Sequence, residues 1–294
     1  AALVPSGALL SVSQVVRVDL ARLDDLMRMI GDLVISRARL EDSLTTIEPR
    51  VPAVEWRTVQ ENSLALERQL RDLREGVMRV RMVPVGEVFR RMSLVVRDLA
   101  RESGKVVQLR LSGEHTEIDK LVIERMMDPV LHLVRNAVAH GIETPDERRA
   151  AGKPDAATLT LLAASVGDVV TLEVADDGQA IDAEAVARRA RALGVHVPEG
   201  RLEGPALLDI ICSPGFSTRD TADHVAGRGV GMAVVQGAVR ELGGTLTLDT
   251  SAGEGTRFLI ELPLTLGITD AIIATLGPQQ FAIPHGAVRE VIVL

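Results

Sequence analysis

The sequence predicts a multidomain chain: an all-α helical hairpin, then an α/β sandwich, then the opening of a small β domain. Three observations predict it. From Val18 to Val80, two long apolar stripes recur in three- and four-residue steps. Beyond Pro84, strand-like alternation is interleaved with helical periods. After Leu264 the chain changes again, to short β-rich runs around a Gly-Pro turn.

In the hairpin, Leu23, Leu26, Ile30, Leu33, Leu40, Leu44 and Ile47 mark one seam, interrupted by Arg37. Val59, Leu66, Leu70, Leu73, Val77 and Val80 mark a second, with Ser63 as its weak point. A turn bearing Pro49 and Pro52 joins them. Two helices cannot bury stripes of this length against each other alone, so a homodimer is expected. Packing against the rest of the chain is the alternative.

The sandwich starts after Pro84. Val85–Ser103 reads as a helix and Lys105–Ser112 as a strand. Asp119 caps a helix running to about Ala139, and Thr144 caps a short one with Pro145 at its first position. Strands are expected near Thr158–Ser165 and Val169–Ala175, with helices over Ala183–Leu193 and Pro205–Cys212. Ser213–Ala226 reads as a loop, Val230–Leu242 as a helix, and Thr245–Thr250 with Thr256–Leu262 as a hairpin turned by SAGEG. Antiparallel strands with helices on one face make a two-layer sandwich.

Composition narrows the function. The 294 residues carry a net charge of −8, one Trp, four Phe and no Tyr, which disfavours a nucleic-acid partner. The single Cys212 cannot form an internal disulfide, which suits a cytoplasmic protein. No run approaches the roughly 20 apolar residues of a membrane span, so no membrane insertion is expected. Residues 1–16 read as a linker.

Chemistry concentrates in HLVRNAVAHGIE, which ends at Glu143. His132, Asn136 and His140 recur every four residues on an apolar helix, so an amide and two imidazoles share one edge, suited to Mg²⁺ and to a proton. Three Gly-containing segments follow: DDGQAID from Asp176, PGFST from Pro214 and GRGVGM from Gly227. A carboxylate at Asp176 can accept from the amino group of adenine. Gly227, Gly229 and Gly231 open a helix whose amides can cradle phosphates, with Arg219 and Arg228 as nearby cations. Each segment alone is weak: a DxG is usually an ordinary turn, and arginines are usually solvated. Their order within one domain points to a nucleotide site.

RVDLARLDDLMRMIGDLVISRARL, RMVPVGEVFRRMSLVVRDLA, DPVLHLVRNAVAHGIE, PGFST, GRGVGM and GEGTRFLIELPLTL resemble, in order, the signatures of the CheA family of chemotaxis histidine kinases. The resemblance covers residues 17–294. It implies a helical-hairpin dimerisation domain over 17–83, and an ATP-binding kinase domain of the gyrase/Hsp90/histidine-kinase/MutL type over 84–263. Residues 264–294 would begin a CheW-like regulatory domain.

The resemblance implies ATP and Mg²⁺ as cofactors. It implies His132 as general base, Asn136 as the Mg²⁺ ligand, and His140 near the phosphates. Asp176 and Gly178 would bind adenine, Arg189 and Arg219 would reach phosphate, and Gly227, Gly229 and Gly231 would form the phosphate loop. The phosphoacceptor would be a His on a separate histidine phosphotransfer domain, since none of the six His residues has the required helical setting. Further partners implied are a response regulator, a CheW-like coupling protein and a chemoreceptor. Ala139, Ala180 and Ala233 replace the family's Asp, Gly and Asp. They leave open a catalytically weakened or inactive nucleotide-binding scaffold in a signalling array. A hydrolytic ATPase is a third reading, against which His132 stands where those enzymes use Glu.

Overall fold

The computed structural model describes residues 20–198, 202–213, 216, 231–264, 271–277, 279–284 and 288. The chain divides into two compact units between Arg81 and Met82.

The first unit is a hairpin of α1 (Leu20–Ile47) and α2 (Ala53–Arg81), joined through a 3₁₀ turn at Glu48–Arg50. Each apolar stripe splits in two. Leu23 and Ile30 are buried, and Met27, Val34, Arg37 and Leu44 half-buried, on the inward side of α1. Leu26, Leu33, Leu40 and Ile47, spaced seven apart, stay exposed. On α2, Leu66, Leu73 and Val80 do the same. Arg37 does not break the seam: it occupies an inward position and bonds Glu67 of α2 at 3.1 Å and Glu41 at 2.8 Å. Arg81 closes the open end of the hairpin on Asp24 at 3.0 Å.

The second unit is built on a five-stranded sheet. Its strands are β2 (Val107–Ser112), β4 (Ala157–Val166), β5 (Val169–Asp176), β6 (Thr245–Ser251) and β7 (Gly255–Pro263), in the order β2-β4-β5-β7-β6. Only the β2–β4 pair is parallel. Helices α3 (Gly86–Ser103), α4 (Lys120–Asn136), α6 (Ala183–Ala192), α7 (Gly204–Ile211) and α8 (Met232–Glu241) complete the layer. Alternation decides which face is covered. Ala157, Leu159, Leu161 and Ala163 of β4, with Val170, Leu172 and Val174 of β5, join one core with Met126, Val134, Val235 and Val239 of the helices. Leu159, Leu161 and Ile260 are fully covered; each contributes about 1.5–3 kcal/mol relative to exposure.

A second, two-stranded ladder that the sequence pattern does not reveal pairs β1 (Met82–Pro84) with β3 (Glu117–Asp119). These strands are three residues long, below the reach of a period-two pattern. Helix caps follow expectation. Asp119 accepts from the Leu121 N–H at 2.8 Å. Thr144 and Glu147 form a capping box at the start of α5 (Pro145–Ala150). Beyond Leu264, β8 (Ala271–Leu276) and β9 (Gln279–Pro284) pair as an antiparallel hairpin.

Candidate functional site

The site forms where α4 ends. Asn136 is its last residue, and Ala137–Gly141 continue as a π turn instead of the expected α-helix. The Ile142 N–H donates to the Ala137 carbonyl at 2.8 Å, five residues back. A widened turn frees carbonyls, and each of these is met from outside. Lys105 donates to the carbonyls of Val138 and Ala139 at 2.8 and 3.0 Å. The Gln179 side chain reaches the His140 carbonyl at 2.7 Å, and its N–H reaches Gly141 at 2.7 Å. Burial holds the Lys105 ammonium below the ordinary lysine range, opposed by Glu147 and Glu143.

Because the turn is wider, the step from Asn136 to His140 is not an α-helical one. His140 is exposed, whereas His132 and Asn136, one α turn apart, are half-buried. Burial lowers the His132 pKa, and Arg135 and His140 lower it further, so the imidazole is neutral at pH 7 and free to accept a proton. The Asn136 amide Nδ2 donates to Met232 Sδ at 3.5 Å, which places this residue against the start of α8, next to Gly231.

Asp176 ends β5, the central strand, paired with Leu159 on one side and Thr256 on the other. Its carboxylate is buried and accepts from the Gly178 N–H at 3.0 Å. Burial pushes its pKa up to about 7; Asp177 and Glu143 add to the rise, while the Gly178 N–H opposes it. Gly141 lies against this carboxylate, and a side chain at Gly178 would strike the Gly141 carbonyl at 2.1 Å. The DDG segment and the π turn are therefore fitted to each other. Ala180 fits without strain: among the described residues only glycines have positive φ.

Arg148 was absent from the sequence-based candidates. Its guanidinium is 1% exposed. It bonds both carboxylate oxygens of Asp177 at 3.1 and 3.3 Å, Glu143 at 3.1 Å and the Pro154 carbonyl at 2.6 Å. Lys153 adds bonds to the carbonyls of Asp177 and Gly178 at 3.0 and 2.7 Å. Nothing local in TPDERRAAGK marks this Arg as buried, because the carboxylate that holds both ends of its guanidinium, Asp177, lies far along the chain, just past the end of β5. Arg189, half-buried on α6, is the candidate arginine that lies among the described residues. Arg219, Gly227 and Gly229 lie outside the described residues.

Two family models match. Residues 13–80 match the signal transducing histidine kinase, homodimeric domain. Residues 123–266 match the histidine kinase-, DNA gyrase B-, and HSP90-like ATPase. The chemotaxis protein CheA of Treponema pallidum is 44% identical over 74% of this chain and 27% of its own length. That of Klebsiella aerogenes is 40% identical over 95% of this chain and 42% of its own. The chain belongs to the CheA family. The sensor histidine kinase CheAY of Helicobacter pylori is 37% identical over 96% of this chain and 36% of its own length. The chain thus spans less than half the length of each of these relatives. Among solved structures, the histidine kinase domain of the Erythrobacter litoralis blue-light activated histidine kinase aligns at a TM-score of 0.37. It is 16% identical over 77% of this chain and 96% of that one. The homodimeric-domain match thus precedes the ATPase match along the chain, and no helix among the described residues is long and apolar enough to cross a membrane.

Proposed function

We propose that the chain is the ATP-dependent histidine kinase core of a CheA-type signalling protein. It transfers the γ-phosphoryl group of ATP to a His on a separate phosphotransfer domain. One observation carries this reading: a single helix end holds Asn136 against the start of α8 and, five residues on, Gly141 against the buried carboxylate of Asp176.

The residues present fit a nucleotide with a divalent cation. The Asn136 Nδ2 is engaged by Met232, which leaves its carbonyl oxygen as a ligand. Among the described residues no group of three or more His, Cys, Asp or Glu could cage a metal. That suits Mg²⁺, which keeps its waters and shares phosphate oxygens. When bound, the ion neutralises charge on the transferring phosphoryl group. Asp176, with Gly178 orienting it, accepts from the adenine amino group. Gly231 and the first amides of α8 face the phosphates, with Gly227, Gly229, Arg219, Arg189 and His140 as further phosphate-side groups. His132 takes the proton of the attacking imidazole as its nitrogen bonds to phosphorus and the bond to ADP breaks.

The exposed heptad positions of α1 and α2 meet those of a second copy, which gives the homodimer. Residues 17–83 act as the dimerisation domain, 84–263 as the kinase domain and 264–294 as the start of a CheW-like regulatory domain, after a linker at 1–16. A response regulator, a coupling protein and a chemoreceptor are the partners, in the cytoplasm. Labelled ATP and a purified phosphotransfer domain test the reading. Wild type passes label to the acceptor; Asn136→Ala passes little. Equal transfer by both removes Asn136 from its role.

A further inference from the structure

Arg148 is a charge in the wrong place for a purely structural residue. Burying a guanidinium carries a desolvation penalty that its partners must offset, and a well-packed apolar side chain commonly does as well for stability. Yet Arg148 is buried to 1% exposure, and its bonds go to few places. Three of its bonds go to Asp177: Oδ1 at 3.1 Å, Oδ2 at 3.3 Å and the carbonyl at 3.3 Å. The same Asp177 Oδ1 accepts from the Thr158 N–H of β4 at 2.9 Å. Lys153 takes the carbonyls of Asp177 and Gly178, and Glu143 bridges the two cations at 3.1 and 2.8 Å. Consecutive peptide units after Asp176 are therefore held by cations.

We propose that Arg148, supported by Lys153, is a positioning residue for base recognition: it sets the main chain of Asp177–Gly178 so that the Gly178 N–H meets one oxygen of Asp176 and the other oxygen faces the purine. This rests on the reading of Asp176 as the adenine-binding carboxylate. Neither cation touches the nucleotide in this arrangement. Their effect is on which base is accepted, through the direction of one carboxylate. A bidentate guanidinium fixes orientation in a way a single ammonium cannot, so lysine is not an equivalent at 148.

The test compares ADP with inosine diphosphate, which carries the same phosphates and an oxo group in place of the adenine amino group. Both are titrated calorimetrically into the full chain, with folding checked by circular dichroism. Wild type prefers ADP. Arg148→Lys and Lys153→Met each lower that preference about tenfold while inosine diphosphate binding stays within about twofold. Arg149→Ala, exposed on the same short helix, leaves the preference unchanged. Lys153→Met carries the test by itself if Arg148→Lys does not fold. An unchanged preference in the folded variants overturns the inference, and so does a parallel loss for both nucleotides, the mark of mere scaffolding. If wild type itself fails to distinguish the two, the reading of Asp176 falls first and this inference with it.

Discussion

Gly141 leaves no room for a side chain beside Asp176: a β-carbon at 141 would sit 2.9 Å from Oδ1 and 3.0 Å from Oδ2 of the Asp176 carboxylate. The end of the Asn-bearing helix thus closely borders the carboxylate proposed to recognise the base. Gly141→Ala has to displace the carboxylate. The expected result is a loss of adenine-nucleotide affinity of tenfold or more, with a stability cost of about 1–2 kcal/mol in urea unfolding. Gly178→Ala differs, because its new atom meets the Gly141 main chain at 2.1 and 2.4 Å. Backbone must move there, so unfolding should show a cost of about 3 kcal/mol or more.

Asp176 makes stability depend on pH. Its carboxyl is raised from 3.8 to about 7 in the folded protein, mainly by burial. Between those values the folded state holds a proton that the unfolded state has released, so this group favours folding less as pH rises from about 4 to 7. Above about 7 its cost is complete and constant. Asp176→Asn should flatten that part of the stability profile. Wild-type nucleotide affinity should rise over the upper part of the same window, as the ionised acceptor becomes populated.

His132 is expected to separate binding from transfer. Its lowered pKa keeps it neutral, and so able to take a proton, at pH 7. His132→Gln should leave ATP affinity within about twofold and slow phosphotransfer by about 10²–10⁴-fold. In wild type, transfer should fall off only when pH drops below the ordinary histidine range. A variant that loses ATP affinity and rate together contradicts the assignment.

The outer stripe of the hairpin predicts self-association. Leu33 and Leu40 lie exposed one heptad apart, away from Arg37 and its bond to Glu67. Leu33→Lys with Leu40→Lys should shift the chain from dimer to monomer in sedimentation while helical content is kept.

Much of this was legible in the sequence, for identifiable reasons. The strand expected near Thr158–Ser165 forms as Ala157–Val166, and the alternation in ATLTLLAASV is matched by burial of Ala157, Leu159, Leu161 and Ala163. Thr144 ahead of Pro145, and Asp119 ahead of its helix, signalled their caps locally. The π turn was not legible, because Ala137–Gly141 has ordinary helical composition until Gly141. What widens it is bonding from Lys105 and Gln179, both more than thirty residues away. The hairpin stripes were read as one seam each. A seven-residue period does not by itself say which of two adjacent stripes faces the partner helix and which faces outward. Arg148 escaped because a buried arginine and its exposed neighbour Arg149 look alike in a sequence.

The most direct measurement is calorimetric titration of ATP, with and without Mg²⁺, into wild type, Asp176→Asn and Asn136→Ala. A shared pocket predicts that wild type binds and that Mg²⁺ tightens the complex. Asp176→Asn should then lose most affinity under both conditions, and Asn136→Ala should lose only the increment due to Mg²⁺. Equal affinity in all three proteins, or a Mg²⁺ increment that survives Asn136→Ala, would contradict the account.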